Sequence, residues 1–301
     1  MQSLWMLCAT FLFAIMSACV KLASSYYTTS EILLCRGLFG VAFVLVLIRM
    51  NGGTLATKYI TKHLTRSVIG VISLWMTLIA VTLLPLATAT TLNYMSPIWI
   101  AIILFFIDFK QGKERVDVRL SATIVLSFIG VALLLRPSLH AEQLTGGIIG
   151  LISGVLTALA YLQVRGLSQL GEPEYRVVFY FSLTGAITGL VACFAQGIIP
   201  FFHHNDPIGV ALILTIGITA TLAQMTLTRA YRLGNTLLTA NLQYSGILFS
   251  SALSVLIWSN TMDWMGWSGI AIILISGLLS TYYHHRRMQA AKRQAQMNAT
   301  S

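Results

Sequence analysis

Residues 67–107 run for forty-one positions without a single charge. As one helix that stretch would be about 60 Å long, twice the ~30 Å hydrocarbon core of a bilayer. Leu84-Pro85-Leu86 divides it, because an internal proline removes a backbone hydrogen bond and clashes with the preceding turn. Two apolar spans therefore stand back to back here. The rest of the chain repeats the pattern, with runs of about twenty apolar residues between short polar segments. Only 9% of the residues are charged and 56% are hydrophobic, too few charges to cover a water-soluble surface. Lipid is the expected solvent for most of the exterior.

Ten spans are read this way: 4–23, 30–49, 67–84, 88–107, 118–136, 145–164, 177–197, 208–230, 236–258 and 264–284. The expected fold is an all-α integral membrane protein. Residues 1–20 carry no charge, and Met16-Ser17-Ala18-Cys19 loosely resembles a lipoprotein cleavage box. A secretory signal has a basic leading region that is missing here, so an uncleaved first helix is expected.

The net charge is +10. Sixteen Lys and Arg residues fall in the connections after spans 2, 4, 6 and 8 or in the tail, Arg66 among them, against Arg136 alone on the other side. Basic residues stay cytoplasmic, so both termini are expected inside, which requires an even number of spans. The same distribution makes membrane orientation, and not nucleic acid, the reason for the positive charge.

The two halves resemble each other. Leu92-Asn93-Tyr94-Met95-Ser96-Pro97-Ile98 matches Asn241-Leu242-Gln243-Tyr244-Ser245-Gly246-Ile247 at an offset of 149. Ser127-Phe128-Ile129-Gly130 matches Leu274-Ile275-Ser276-Gly277 at 147, and Gly40 matches Gly185 at 145. A five-helix unit present twice is implied, as residues 4–137 and 145–285, followed by a basic tail, 286–301. Five is odd, so the second unit must cross the membrane in the opposite sense, the inverted repeat common in secondary transporters. Gly146, Gly150 and Gly154, and Gly185 and Gly189, recur every four residues and suit close helix packing.

The chain resembles the drug/metabolite transporter superfamily in its EamA-type, ten-helix branch. The resemblance rests on Ser30-Glu31-Ile32-Leu33-Leu34-Cys35-Arg36-Gly37, on Leu84-Pro85-Leu86-Ala87 through Ser96-Pro97-Ile98-Trp99, on Gly112-Lys113-Glu114-Arg115 and on Gly130-Val131. Ser245-Gly246 and Asn260-Thr261-Met262-Asp263 depart from the family pattern. The resemblance implies a carrier of amino acids, other metabolites, nucleotide-linked compounds or toxic cations, in the bacterial inner membrane.

Candidate solute contacts are the polar and aromatic residues within spans: Arg36, Trp75, Asn93, Tyr94, Ser96, Tyr161, Gln163, Gln224, Asn241, Gln243 and Tyr244, with Pro97 as a kink or gate. Buried amides need partners in lipid, and transporters hold solute near the midplane. Each residue also has a purely structural reading as interhelical glue. Arg36 sits about 9 Å into its helix, where it either meets an anionic solute or pairs structurally. Lys21 is expected to snorkel or to contact Glu31. No Asp or Glu lies deep in a span and all six histidines lie in loops or at span ends, so neither an intramembrane proton relay nor a permanently cationic solute is favoured. Without a P-loop, a nucleophile–base set or a metal cluster, no catalytic residue, cofactor, metal or ATP-driven step is expected. The four cysteines lie in apolar runs without ligand spacing. The expected partners are a small-molecule solute and the bilayer, and a homodimer is compatible with the sequence. The main reading is a secondary exporter of a small polar metabolite such as an amino acid. A lipid-linked flippase, a nucleotide-like carrier and a non-transporting scaffold are the alternatives.

Overall fold

The computed structural model describes residues 4–110, 122–123, 125–126, 129–130, 133, 141–199, 206–234, 239, 242–259 and 263–300. Most of the helix expected at 118–136, the Gly112–Arg115 segment, Asn241 and residues 260–262 lie outside them.

Ten helices are described. They are α1 (Trp5–Ala23), α2 (Thr29–Asn51), α3 (Ile60–Leu83), α4 (Leu86–Asn93), α5 (Ser96–Lys110), α6 (Ala141–Gln169), α7 (Glu174–Ala195), α8 (Pro207–Leu233), α9 (Ser245–Trp258) and α10 (Trp264–Thr300). Six of them, α1–α3 and α6–α8, are long and apolar enough to cross a membrane. Their outward faces carry large apolar side chains such as Leu45, Val46, Ile187, Val191 and Phe194, each roughly half exposed or more. Soluble proteins rarely expose contiguous surfaces of this kind, whereas lipid-facing helices must.

Local sequence sets the helix ends. Thr28 and Glu31 form a capping box that opens α2: the Thr28 backbone N–H and hydroxyl both donate to the Glu31 carboxylate, and the Glu31 N–H points back at Thr28 Oγ1. Asp206 caps α8, with Pro207 at its first position. The expected contact of Lys21 with Glu31 is not made. Lys21 Nζ instead donates to the carbonyls of Val81, at 3.2 Å, and Leu84. Leu84 precedes Pro85, which has no N–H, so the end of α3 is short of donors and the ammonium fills the gap.

The fourth expected span is broken. α4 ends at Asn93, Tyr94 and Met95 form a turn, and α5 starts at Ser96 with Pro97 in its first turn. Pro97 therefore starts a helix and does not kink one, because a first-turn N–H would be unbonded anyway. A second turn at Gln243–Tyr244 precedes α9. The two turns meet: Gln243 Nε2 donates to Ser96 Oγ at 3.0 Å. A Cβ on Gly246 would lie 2.4 Å from Tyr94 Cζ, which accounts for glycine at this position.

Small residues bring α2 against α7. A Cβ on Gly37 would lie 2.4 Å from Ala186 N, and one on Gly189 would lie 2.6 Å from Leu34 N. Backbone meets backbone there, the packing that small residues permit between membrane helices. Around this contact α1 packs on α8 and α9, and α3 packs on α6 and α7. The last helix runs on through the basic tail to Thr300. Met, Gln, Ala, Lys and Arg dominate those residues, and all are strong helix formers.

Candidate functional site

Between α1, α2, α3, α4, α6, α7 and α8 lies a buried cavity of about 90 Å³. Phe13, Met16 and Ser17 of α1 form one wall, and Asn93 and Tyr94 close the end of α4. Tyr161 enters from α6, Phe181 from α7 and Gln224 from α8.

Two arginines enter the same space. Arg36 comes from α2 and is 7% exposed. Its Nη1 points at Met16 Sδ at 3.2 Å, a weak acceptor. Arg66 comes from α3 and is 2% exposed, and its Nε and Nη1 have no hydrogen-bond partner among the described residues. Both guanidiniums lie over the Phe181 ring, at 4.1 Å for Arg66 and 5.8 Å for Arg36. The ring face carries partial negative charge and offsets a small part of the cost of burying them. No ion pair joins either arginine to a carboxylate among the described residues.

The sequence reading placed Arg66 among the surface cations of a connection. It began the third span at residue 67 in order to keep charge out. The structure instead starts α3 at Ile60 and carries Arg66 inward on the same face as Gly70, Ser73 and Thr77. That spacing, at three and four residues, was the available signal.

Of the expected contacts, Arg36, Asn93, Tyr94, Tyr161 and Gln224 line the cavity. Asn93 is partly committed to packing, since its Nδ2 donates among Thr77, Ser153 and Thr157 at 2.9–3.2 Å. Ser73 and Thr157 complete that network at 2.6 Å. Gln224 Nε2 is buried with no partner. Tyr161 stacks on Tyr231 with centroids 5.3 Å apart.

The other candidates lie elsewhere. Trp75 lines a separate hollow of about 510 Å³ with Thr28, Ser30, Thr82 and Gln196, at the end of the bundle where α1 meets α2. Each residue of helix rotates by about 100°, so a side chain two positions from a cavity-lining one is turned by about 200° away from it. Ser73 and Thr77 flank Trp75 and keep the cavity side, and Gln163, two beyond Tyr161, is likewise turned away. Ser96, Gln243 and Tyr244 are buried in the seam between the two helix breaks. Tyr231 donates to Gln243 Oε1 at 3.4 Å there.

A polar lock lies at the end of the bundle where α3 begins. Glu172, between α6 and α7, accepts from His63 Nε2, Arg176 Nη1 and Thr57 Oγ1, each at 2.9 Å. Arg176 also holds the Thr54 carbonyl, and Tyr180 holds that of Leu55. These bonds tie the α2–α3 connection to α7. Burial alone would raise the Glu172 carboxyl, but its hydrogen bonds from Arg176, His63 and Thr57 outweigh that and hold it below the usual carboxylate range.

No family model matches the chain. The pseudopaline exporter CntI of Pseudomonas aeruginosa is 28% identical over 89% of this chain and 91% of its own length. A transporter of Helicobacter pylori is 28% identical over 91% of this chain and 92% of its own length. The S-adenosylmethionine uptake transporter of Rickettsia felis is 22% identical over 88% and 87%. A solved crystal structure matches with a TM-score of 0.66 at 17% identity, covering 94% of this chain and 99% of that one, a likeness of fold alone. Taken with the apolar helices, the named transporters among its relatives make this chain a multi-pass membrane transporter and not an enzyme, in keeping with its resemblance to the drug/metabolite transporters.

Proposed function

We propose that the protein is a secondary carrier, acting as an exporter, of a small polar organic metabolite such as an amino acid or related compound. The observation that carries this is the cavity with its buried arginines and amides, to which residues of both 4–137 and 145–285 contribute. A site shared between two halves that rock against each other is what alternating access requires. In this reading the halves are inverted five-helix repeats and the termini are cytoplasmic. The Glu172 lock holds one entrance shut while the other is used. Relatives named for pseudopaline export and S-adenosylmethionine uptake support a metabolite as cargo, and the exporter among them supports the direction.

Exchange of radiolabelled solutes by proteoliposomes, across amino acids, organic acids, nucleosides and amines, tests the proposal. Gln224→Leu is expected to depress exchange of the active solute by ten-fold or more, while Phe194→Ala on the lipid face leaves it unchanged. Equal activity in both variants and the parent would place the solute path elsewhere.

A further inference from the structure

The groups left unsatisfied around the central cavity share one chemical sense. Among the described residues, Nε and Nη1 of Arg66 and Nε2 of Gln224 are donors without acceptors. Arg36 has only a thioether opposite its Nη1 among the described residues. No Asp or Glu lines the cavity among the described residues. Two buried cations thus face one small space with no compensating negative charge. Like charges so placed repel, and a buried charge left unpaired is costly.

Water could occupy some donors, but it brings no charge. An oxyanion supplies both acceptors and charge, and guanidinium is the side chain best matched to its planar, paired oxygens. The size permits it. One water needs about 10–15 Å³ of such space, so about 90 Å³ admits several waters or one carboxylate or phosphate group.

We infer that the cargo carries an oxyanion, a carboxylate or a phosphate, which is held between Arg36 and Arg66 with Gln224 donating to it. This rests on the carrier reading above and gives the cargo its charge. Phe181 sets the spacing by seating both guanidiniums on one ring. Asn93, tied to three hydroxyls, holds the opposite wall in place.

Isothermal titration of the purified full chain in detergent tests it. Citrate, succinate and aspartate form the carboxylate arm, and glycerol 3-phosphate and inorganic phosphate the phosphate arm. Succinamide and glycerol are the uncharged controls. At least one oxyanion is expected to bind ten-fold or more tighter than its uncharged counterpart, and the arm in which it falls names the group. Arg66→Lys and Arg36→Lys keep the charge and lose the fork, and each is expected to weaken that binding by about ten-fold, the loss of one charge-assisted hydrogen bond. Arg66→Gln and Arg36→Gln should weaken it further. Uncharged counterparts binding as tightly, no oxyanion binding, or affinities untouched by either lysine variant would each overturn the inference. Exchange of a neutral or cationic solute alone in proteoliposomes would also overturn it while leaving the carrier reading intact. Arginine-dependent oxyanion binding with no exchange of any solute would keep the site and refute the carrier.

Discussion

Replacing Glu172 by alanine measures how firmly the α2–α3 connection is locked to α7. The carboxylate is 6% exposed and bonds three groups. Of these, His63 depends on it most, being fully buried with no partner on Nδ1. Removing the carboxylate strands that imidazole, at a cost of about 1–3 kcal/mol. Arg176 is 12% exposed and keeps its bonds to the Thr54 carbonyl, so its loss is about 1 kcal/mol. The Thr57 hydroxyl adds about 0.5–1 kcal/mol. Together these give about 2.5–5 kcal/mol, which lowers the melting temperature of a chain this size by about 4–8 °C. Acid adds a second reading of the same bond. Because the folded carboxyl is held below its unfolded value, its contribution is complete above the unfolded value and is lost as pH falls through the lower, folded one. Thermal melts of the detergent-solubilised protein should therefore show parent and Glu172→Ala far apart at neutral pH and converging below the usual carboxylate range. A variant within about 1 °C of the parent at neutral pH, or a gap that does not narrow in acid, would show that the lock bears no load.

Four further outcomes are expected. Gly189→Val drives a side chain into the Leu34 backbone, which cannot yield, and should cost at least about 1–3 kcal/mol. Gly185→Ala one turn earlier meets only ordinary contacts from 3.7 Å, and its melt should match the parent or exceed it. Lys21→Met leaves the Val81 and Leu84 carbonyls without their ammonium and should lower stability by about 1–2 kcal/mol in the same melts. Single cysteines placed at Gly53 and Ser301 in a cysteine-free background should be labelled by an impermeant maleimide from the same side of the membrane. Labelling from opposite sides would refute the inferred orientation.

The spans were legible because hydropathy and the twenty-residue length of a bilayer crossing act on every helix alike. The starts of α1, α2, α8 and α10 fall within one residue of those read from apolar runs. Both ends of α6 and the start of α7 were read less well, because there the helices continue past the apolar region into polar residues that cost nothing in water. The broken fourth span was legible only as a proline. Sequence could not show that the break falls before Pro97, at Tyr94–Met95, where it meets the matching turn at Gln243–Tyr244.

The cavity was half legible, for a different physical reason. A polar residue in a span is visible in sequence, but the direction it faces depends on packing several helices together. Trp75 and Gln163 are as conspicuous as Asn93 and Gln224, yet a rotation of about 100° per residue turns them out of the cavity. Arg66 failed in the opposite sense. A rule that keeps charges at membrane ends assigns each cation to the nearest connection, and that rule serves most of the sixteen well. It fails where a cation lies within one or two turns of a helix end and on the face that looks inward. His63 and Arg66 meet both conditions, and the helix face they share carries Gly70, Ser73 and Thr77 toward the bundle interior. For a carrier, that is the useful place for a charge, one turn behind the lock and in reach of Phe181. The cation that the positive-inside pattern absorbed most easily is thus the one whose burial most needs a ligand to explain it.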